Sequence, residues 1–468
     1  MPTTSNYPAN KTRESKSTGR LAYSHFIAAY DWELASLTCH KSMPQLKHKH
    51  LTYLAITALA FGIARLVMLL PQSAGRNDFA HYYVSSRALL EGENPYAVSL
   101  ADRYQQFGFE FDERIPHATN PPPLLWLFAP LAALPPLAAC LLWQFVQLAA
   151  MAAMLAMVWK LCRLRLRPEV MLAIAAAVVF SNPVYWHIYH SQVQMLLGAM
   201  IVGALALNLR GRHHAACTLI AAAGLIKLFP LVLLPWFLWQ TDEPVGAKLR
   251  RAAWVSAGCL LMISVTGPQL WGEFLHRGLD VVTSNAVNRT FNFGLPSLLG
   301  NLTHAWYDFA PPESAGIASH RVGLLAGLGL IAAAYTVCLF GKQNRQQQFS
   351  LLTLAMLAGS ATMWGHYLVM LVFPGVIAAL SVRDTKTLLP KMVVGAALLM
   401  IGMAGTGTPP ALAALPLLNV LLHYLPLLAV VTLGVVLSRS LLADVSLSRW
   451  ERTVGLPLHD ECRTRNFE

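Results

Sequence analysis

Charge is scarce in this chain. Only 12% of its 468 residues are Asp, Glu, Lys or Arg, against 55% hydrophobic, which excludes an ordinary water-soluble domain and points to a protein that crosses a membrane repeatedly. The strict apolar–polar alternation of barrel strands is missing as well, so the spanning elements are helices and the fold class is all-α. The seven cysteines, Cys39, Cys140, Cys162, Cys217, Cys259, Cys338 and Cys462, show no CxxC spacing. They lie in apolar runs or in segments assigned below to the cytoplasm, so neither a disulfide framework nor a zinc site is expected. The formal net charge of +12 comes without a basic stripe interleaved with exposed aromatics, which removes nucleic acid as a partner. No internal repeat is visible, and that speaks against the inverted-repeat transporters.

What charge there is sits in short loops. Residues 1–50 carry seven Lys or Arg against three acidic residues, a polar segment too long and too late for an ordinary signal peptide. Within it "MPQLKHKH", from Met43, reads as a natural start, which would make residues 1–42 dispensable. Short basic loops at 160–168, 210–214, 240–251, 341–348 and 382–391 face the cytoplasm by the positive-inside rule. The loop 71–121 instead carries four Arg against seven acidic residues, and 267–320 is long and nearly neutral, so both belong on the periplasmic side. The expected organisation is a cytoplasmic segment 1–50, a transmembrane domain 51–437 with outer loops 71–121 and 267–320, and a cytoplasmic tail 438–468. About twelve transmembrane or re-entrant helices fit this length, in an inner (plasma) membrane with both termini cytoplasmic. The Pro-rich piece 122–136 either spans or re-enters.

Parity constrains residues 215–239, whose flanks are both basic: the segment crosses an even number of times or re-enters. Each half around Lys227 has about 12 residues, or about 18 Å of helix, short of the roughly 30 Å hydrocarbon core. A bent hairpin with Lys227 and Pro230 near its tip, opening outward, is expected.

Polar residues crowd the start of the first outer loop, "RNDFAHYY". Asp78 stands where a helix begins, and Phe79, Tyr82, Tyr83, Ser86, Leu89 and Leu90 recur at helical spacing, the pattern of an amphipathic interfacial helix with Asp78 as its N-cap. A carboxylate just outside a bilayer, beside His81 and Tyr82, is placed to take the proton of a sugar hydroxyl. Arg65, near the outward end of the first helix, snorkels to the same level, as an ordinary interfacial Arg also does. Lys227 is more specific, because an ammonium inside a 25-residue apolar stretch is costly unless it meets an anion or water, and a phosphate is its natural partner. "SNPVYWHIYHSQVQ" offers Tyr185, His187, His190, Gln192 and Gln194 as hydrogen-bonding groups, although aromatic residues there also suit an interfacial belt. His366 and Tyr367 fall at the outward end of a helix hairpin, and "NAVNRTFNFGLPSLLG" adds Asn285, Asn288, Arg289 and Asn292 on the acceptor side.

In chain order, an outer-loop Asp with Tyr-Tyr and "LLEGENPY", then "NPPPLLWLFAPLAALP", "SQVQMLLGAMIVGALAL", "GLIKLFPLVLLPWFLW" and "GHYLVMLVFP", the sequence resembles glycosyltransferase family 87. These are polyprenyl-phosphate-mannose-dependent alpha-mannosyltransferase-like proteins of GT-C fold, and the resemblance covers about residues 51–437. It implies an inverting, metal-independent hexosyl transfer, with mannose as the sugar, from a polyprenyl-phosphate donor at the periplasmic face. The implied acceptor is a cell-envelope glycolipid or glycan. The family's general base falls on Asp78, the lysine of its Ile-Lys element on Lys227, where it would hold the lipid phosphate, and the histidine of its His-Tyr element on His366. The residues read on their own add Arg65 beside the phosphate, and His81, Tyr82, His190, Gln192, Asn288 and Arg289 around the substrates. No metal or cofactor is expected, since cationic side chains neutralise the phosphate and no paired acidic motif stands beside Asp78. The chain departs from the family pattern at Asn120-Pro121-Pro122, where Tyr-Pro-Pro is usual, and at Ser191-Gln192-Val193-Gln194, where Gly-Gln-x-Asn is usual. A lipid-linked sugar transporter or flippase is the competing expectation; it would place ionisable groups near the midplane of several helices, whereas here the polar groups gather on one side.

Overall fold

The computed structural model describes residues 45–73, 77–113, 115–162, 168–239, 243–278, 292–303, 316–341, 344–405 and 422–454. Most of the polar N-terminal segment, the loop residues Asn285, Asn288 and Arg289, and the last residues of the tail lie outside the described residues. The chain divides into two units, residues 1–54 and 55–468, and the second carries the architecture. Every regular element among the described residues is helical, apart from one isolated bridge between Asn292 and Trp364.

Prolines and one glycine punctuate the helices. After α1 (Gln45–Ser73), α2 (Asn77–Leu90) and the short α3 (Ala101–Gln106), a proline opens both α4 (Pro122–Ala132) and α5 (Pro136–Leu161), where its missing N–H would have been unpaired anyway. α6 (Pro168–Phe180) and α7 (Asn182–His190) form a pair bent by 49°, broken at Ser181 with Pro183 in the first turn of the second helix. α8 (Gln194–Leu209) packs along α5 and along α9 (His213–Ile226). α9 stops at Lys227, whose backbone is extended, and a 3₁₀ turn (Phe229–Leu233) and α10 (Leu234–Trp239) then fold back against it. This is the counterpart of the bent hairpin expected around Lys227 and Pro230.

The chain turns sharply between α11 (Val245–Thr266) and α12 (Pro268–Glu273), at Gly267, whose φ of 99° suits a residue without a side chain. The remaining elements are α13 (Leu295–Thr303), α14 (Gly316–Phe340), α15 (Arg345–Gly359), a 3₁₀ turn (Gly365–Leu371) leading into α16 (Val372–Val382), α17 (Leu389–Gly402) and α18 (Leu425–Val454). α15 is buried at every position from Gln347 to Gly359, with α14, α16 and α18 packed around it.

Among the described residues, five helices are long and apolar enough to cross a membrane, and seven if each bent pair forms one span. The expectation of about twelve elements also took in apolar pieces of 10–17 residues, such as Pro122–Ala132, His213–Ile226 and Leu389–Gly402, which alone fall short of the roughly 20 residues a span needs. The exterior is apolar, as a lipid-facing surface is: Phe61, Met68, Phe145, Leu261, Val265, Leu325 and Leu399 are all exposed.

α2 differs from its expectation. Instead of an amphipathic helix with a wet face, it is buried from Phe79 to Ser86 on every side. The reason lies in the loop that follows, which folds back over the helix and gives the polar His81 its partners, Tyr104 and Thr119. Phe109 meets both Phe79 and Tyr83, Phe107 packs edge-on to Tyr83, and Tyr104 and Phe111 close the cluster. Phe79 and Tyr82 also rest on Phe128 of α4.

Candidate active site

Asp78 lies in the first turn of α2, after Asn77. Its Oδ2 is 3.1 Å from Nδ1 of His190, the last residue of α7, and both side chains remain partly accessible, 38% for the aspartate and 30% for the histidine. The imidazole is off the axis of a well-formed hydrogen bond, so the contact is chiefly electrostatic.

A local device places the next residue. Ser191 ends α7 in the left-handed region, at φ 52°, a conformation that costs a non-glycine residue free energy unless its surroundings hold it. They do so from α5: Trp143 Nε1 donates to the Ser191 carbonyl at 2.8 Å, and Gln144 Nε2 donates to Ser191 Oγ at 2.6 Å and to the Ile188 carbonyl at 2.7 Å. The chain therefore reverses at the foot of α7 and delivers Gln192 to the site.

Gln192 links the acid to the lysine. Its Oε1 accepts from the Tyr82 hydroxyl at 2.7 Å and from Lys227 Nζ at 3.4 Å, and its amide is one of the groups that favour the ionised Asp78. Lys227 donates further to the Tyr367 hydroxyl at 3.2 Å, and Tyr367 stacks on Phe229 from the turn that follows the lysine. One line of polar contacts thus joins the start of α2, the foot of α7, the tip of the α9 hairpin and the 3₁₀ turn before α16.

Two histidines complete the surroundings. His366, 7% exposed, has a buried Nε2 without a protein partner, and its ring centroid is 5.9 Å from that of His190. His187, one turn before His190 on α7, is wholly buried with neither ring nitrogen partnered. The fields of His190, His366 and Gln192 decide the state of the acid: burial pushes the Asp78 carboxyl up, but the contact with His190, the charges of both histidines and the Gln192 amide outweigh it and hold the group well below the usual carboxylate range.

The other expected residues are placed differently. His81 is spent on the scaffold: Nε2 accepts the Thr119 backbone N–H at 3.2 Å and Nδ1 pairs with the Tyr104 hydroxyl at 3.1 Å. The accepting role of Nε2 makes this the neutral tautomer with the proton on Nδ1, and burial, opposed by Asp78 and Asp112, lowers its pKa to about 4. Tyr82 reaches the site only through Gln192. Arg65 meets α7 higher up, its guanidinium 4.3 Å over the ring of Tyr185. Asn292 is an anchor: its Oδ1 accepts from the Gly294 and Met363 backbone N–H groups and its Nδ2 donates to the Ala361 carbonyl, which ties the segment before α13 to the turn carrying His366. Asn288 and Arg289, expected around the acceptor, lie outside the described residues. Among the described residues no three His, Cys, Asp or Glu side chains gather as a metal site.

Tyr367 and His187 are the groups that sequence reasoning left out of the site. The signal for Tyr367 was its place beside His366 at the start of an apolar run, where a tyrosine otherwise reads as an interfacial anchor.

An apolar helical bundle that pairs a partly open carboxylate with an imidazole and ties an ammonium to the neighbouring glutamine defines a membrane protein built around a charged chemical site. Its family follows from its sequence: the profile of glycosyltransferase family 87 matches residues 118–374, more than half of the chain, and the protein belongs to that family. It is a membrane glycosyltransferase, and so acts between a sugar donor and an acceptor. The matched region takes in His190, Gln192, Lys227, His366 and Tyr367, whereas Asp78 lies upstream of it. No curated protein and no solved structure matches the chain.

Proposed function

We propose that the protein transfers a hexosyl group, mannose in the first instance, from a polyprenyl-phosphate donor to a glycolipid or glycan acceptor of the cell envelope, at the periplasmic face and with inversion. The observation that carries this reading is the pairing of a partly accessible Asp78 with His190, two residues before a Gln192 that accepts from both Tyr82 and Lys227, inside a membrane bundle. The acceptor hydroxyl enters beside Asp78 and attacks the anomeric carbon; its proton passes to the carboxylate as the bond to the donor phosphate breaks on the opposite face. Lys227, steadied by Gln192 and Tyr367, meets the charge that develops on the departing phosphate, and His366 Nε2 is the further group facing it. The GT-C fold and the assignment of loop 71–121 to the periplasm belong to the same reading.

An ionised Asp78 is always ready to accept a proton, yet a carboxylate held so low is a weak base. Its strength rises when the bound acceptor separates it from His190, so the acid becomes most basic in the complex that needs it.

The test is reconstitution of the purified protein with radiolabelled polyprenyl-phospho-mannose and an envelope lipid extract. The wild type labels a lipid or glycan fraction, and Asp78→Asn, folded and inserted, labels none. Full transfer by Asp78→Asn would falsify the assignment of the base. Lys227→Ala is expected to raise the KM for the donor; an unchanged donor dependence removes its phosphate role.

A further inference from the structure

A second feature lies at the other end of α9, away from the charged site. A shallow groove of about 590 Å³ runs along the bundle's exterior between α8, α9 and α11, walled by Leu207, Ala215, Thr218, Leu219, Ala222 and Trp254. The small side chains of Ala215 and Ala222 form its floor. Trp254, 61% exposed, stands as the far wall, its Nε1 reaching Thr218 Oγ1 at 3.4 Å. From His214 to Ala222 the groove follows α9 for about 12 Å at the helical rise, close to the roughly 15 Å of hydrocarbon that one leaflet supplies. That depth fits the tail of a lipid seated in one leaflet.

The rim at the shallow end is cationic. His214 closes the groove there, Arg210 and Arg212 are exposed just before α9, and Arg250 is exposed one turn before Trp254 on α11. The Arg250 guanidinium turns back toward Gly246, at the start of its helix and away from the apolar wall. Glu243, at the same end, is taken by the buried Arg251, so it does not neutralise the rim. An apolar slot of one-leaflet depth beneath exposed cations matches a lipid with a negative headgroup.

We infer that this groove binds an anionic phospholipid, with one acyl chain along α9 and the headgroup phosphate at His214, Arg212 and Arg250. The leaflet is the one opposite the charged site, because α9 places about 20 Å of helix between the rim and Lys227. The polyprenyl donor has no charge to match this rim, since its phosphate belongs at the other end of the helix. A lipid seated here braces α8, α9 and α11 together, and so bears on the helix that carries Lys227.

The full-length protein, purified in detergent, is exposed to phosphatidylglycerol, phosphatidylcholine, polyprenyl phosphate or inorganic phosphate and examined by native mass spectrometry. The wild type is expected to retain phosphatidylglycerol about tenfold over phosphatidylcholine, with no competition from inorganic phosphate. Arg250→Gln abolishes the preference while leaving the lipid-free melting temperature unchanged, and Ala215→Leu with Ala222→Leu removes retention of both phospholipids. Equal retention of the two phospholipids by the wild type, an unaltered preference in Arg250→Gln, or displacement by inorganic phosphate overturns the inference. So does displacement of phosphatidylglycerol by polyprenyl phosphate, which would make the groove the donor's. Arg250 is exposed, so its variant decides the matter even if the double leucine variant fails to fold.

Discussion

At the scale of single residues, Gln192 and His81 carry opposite lessons. Gln192 has no chemistry of its own, yet the acid, Tyr82 and the lysine all depend on it. Gln192→Ala strips Tyr82 and Lys227 of their shared acceptor, a loss of about 1–3 kcal/mol, and transfer is expected to fall roughly 10- to 100-fold in a reconstituted assay. Gln192→Glu keeps the acceptor but sets a second negative charge between Asp78 and Lys227, so the donor KM rises further than in the alanine variant. His81 is a structural residue with a pH signature. Its pKa falls to about 4 in the folded protein, below the ordinary value near 6.5, so the unfolded chain binds the extra proton first. The contribution of His81 is therefore complete above pH 6.5 and is lost as pH falls from there toward 4, by up to about 3 kcal/mol. Melting in detergent at pH 7.5 and pH 5 is expected to show this loss in the wild type and a smaller one in His81→Gln.

At the scale of elements, the site depends on two interruptions. One is the left-handed Ser191, held by Trp143 and Gln144. Ser191→Gly relieves the backbone, whereas Ser191→Val adds a β-branched side chain there, costs about 1–2 kcal/mol and leaves Gln144 short of a partner. The valine variant is expected to melt lower and to lose more transfer than the glycine variant; the reverse order would show that the turn does not set Gln192. The other interruption is the fold-back of the α9 hairpin, which Gly224 permits because any Cβ there would collide with Leu231. The hairpin was legible in the sequence, since basic flanks and two halves too short to span leave few alternatives. The burial of α2 was not. It looked half-wet because the loop that covers it, packing on Phe79 and Tyr83 and hydrogen-bonding His81, follows a path that sequence periodicity does not reveal.

At the scale of the whole molecule, membrane character was legible from composition alone, and Lys227 stood out as a charge where charge is costly. The connections within the site were not: they pass through residues far apart in the chain, and His187 and Tyr367, although named as polar groups, lie in runs that suit an interfacial belt equally well. The proposed orientation rests on charge counting and has its own check. A cysteine replacing the exposed Glu93 is expected to react with a membrane-impermeant thiol reagent added to intact spheroplasts, and one replacing the exposed Arg210 only after the membrane is opened. The opposite pattern would place the site on the cytoplasmic side.

The line from Asp78 to Tyr367 also sets an order of events during biogenesis. Asp78 leaves the ribosome long before the turn that carries Tyr367, and Lys227 is inserted between them. Until the 3₁₀ turn arrives and α16 packs, the lysine has a helical hairpin around it but only half of its partners. A nascent chain stalled before that turn therefore holds Lys227 bound to Gln192 but not yet to Tyr367.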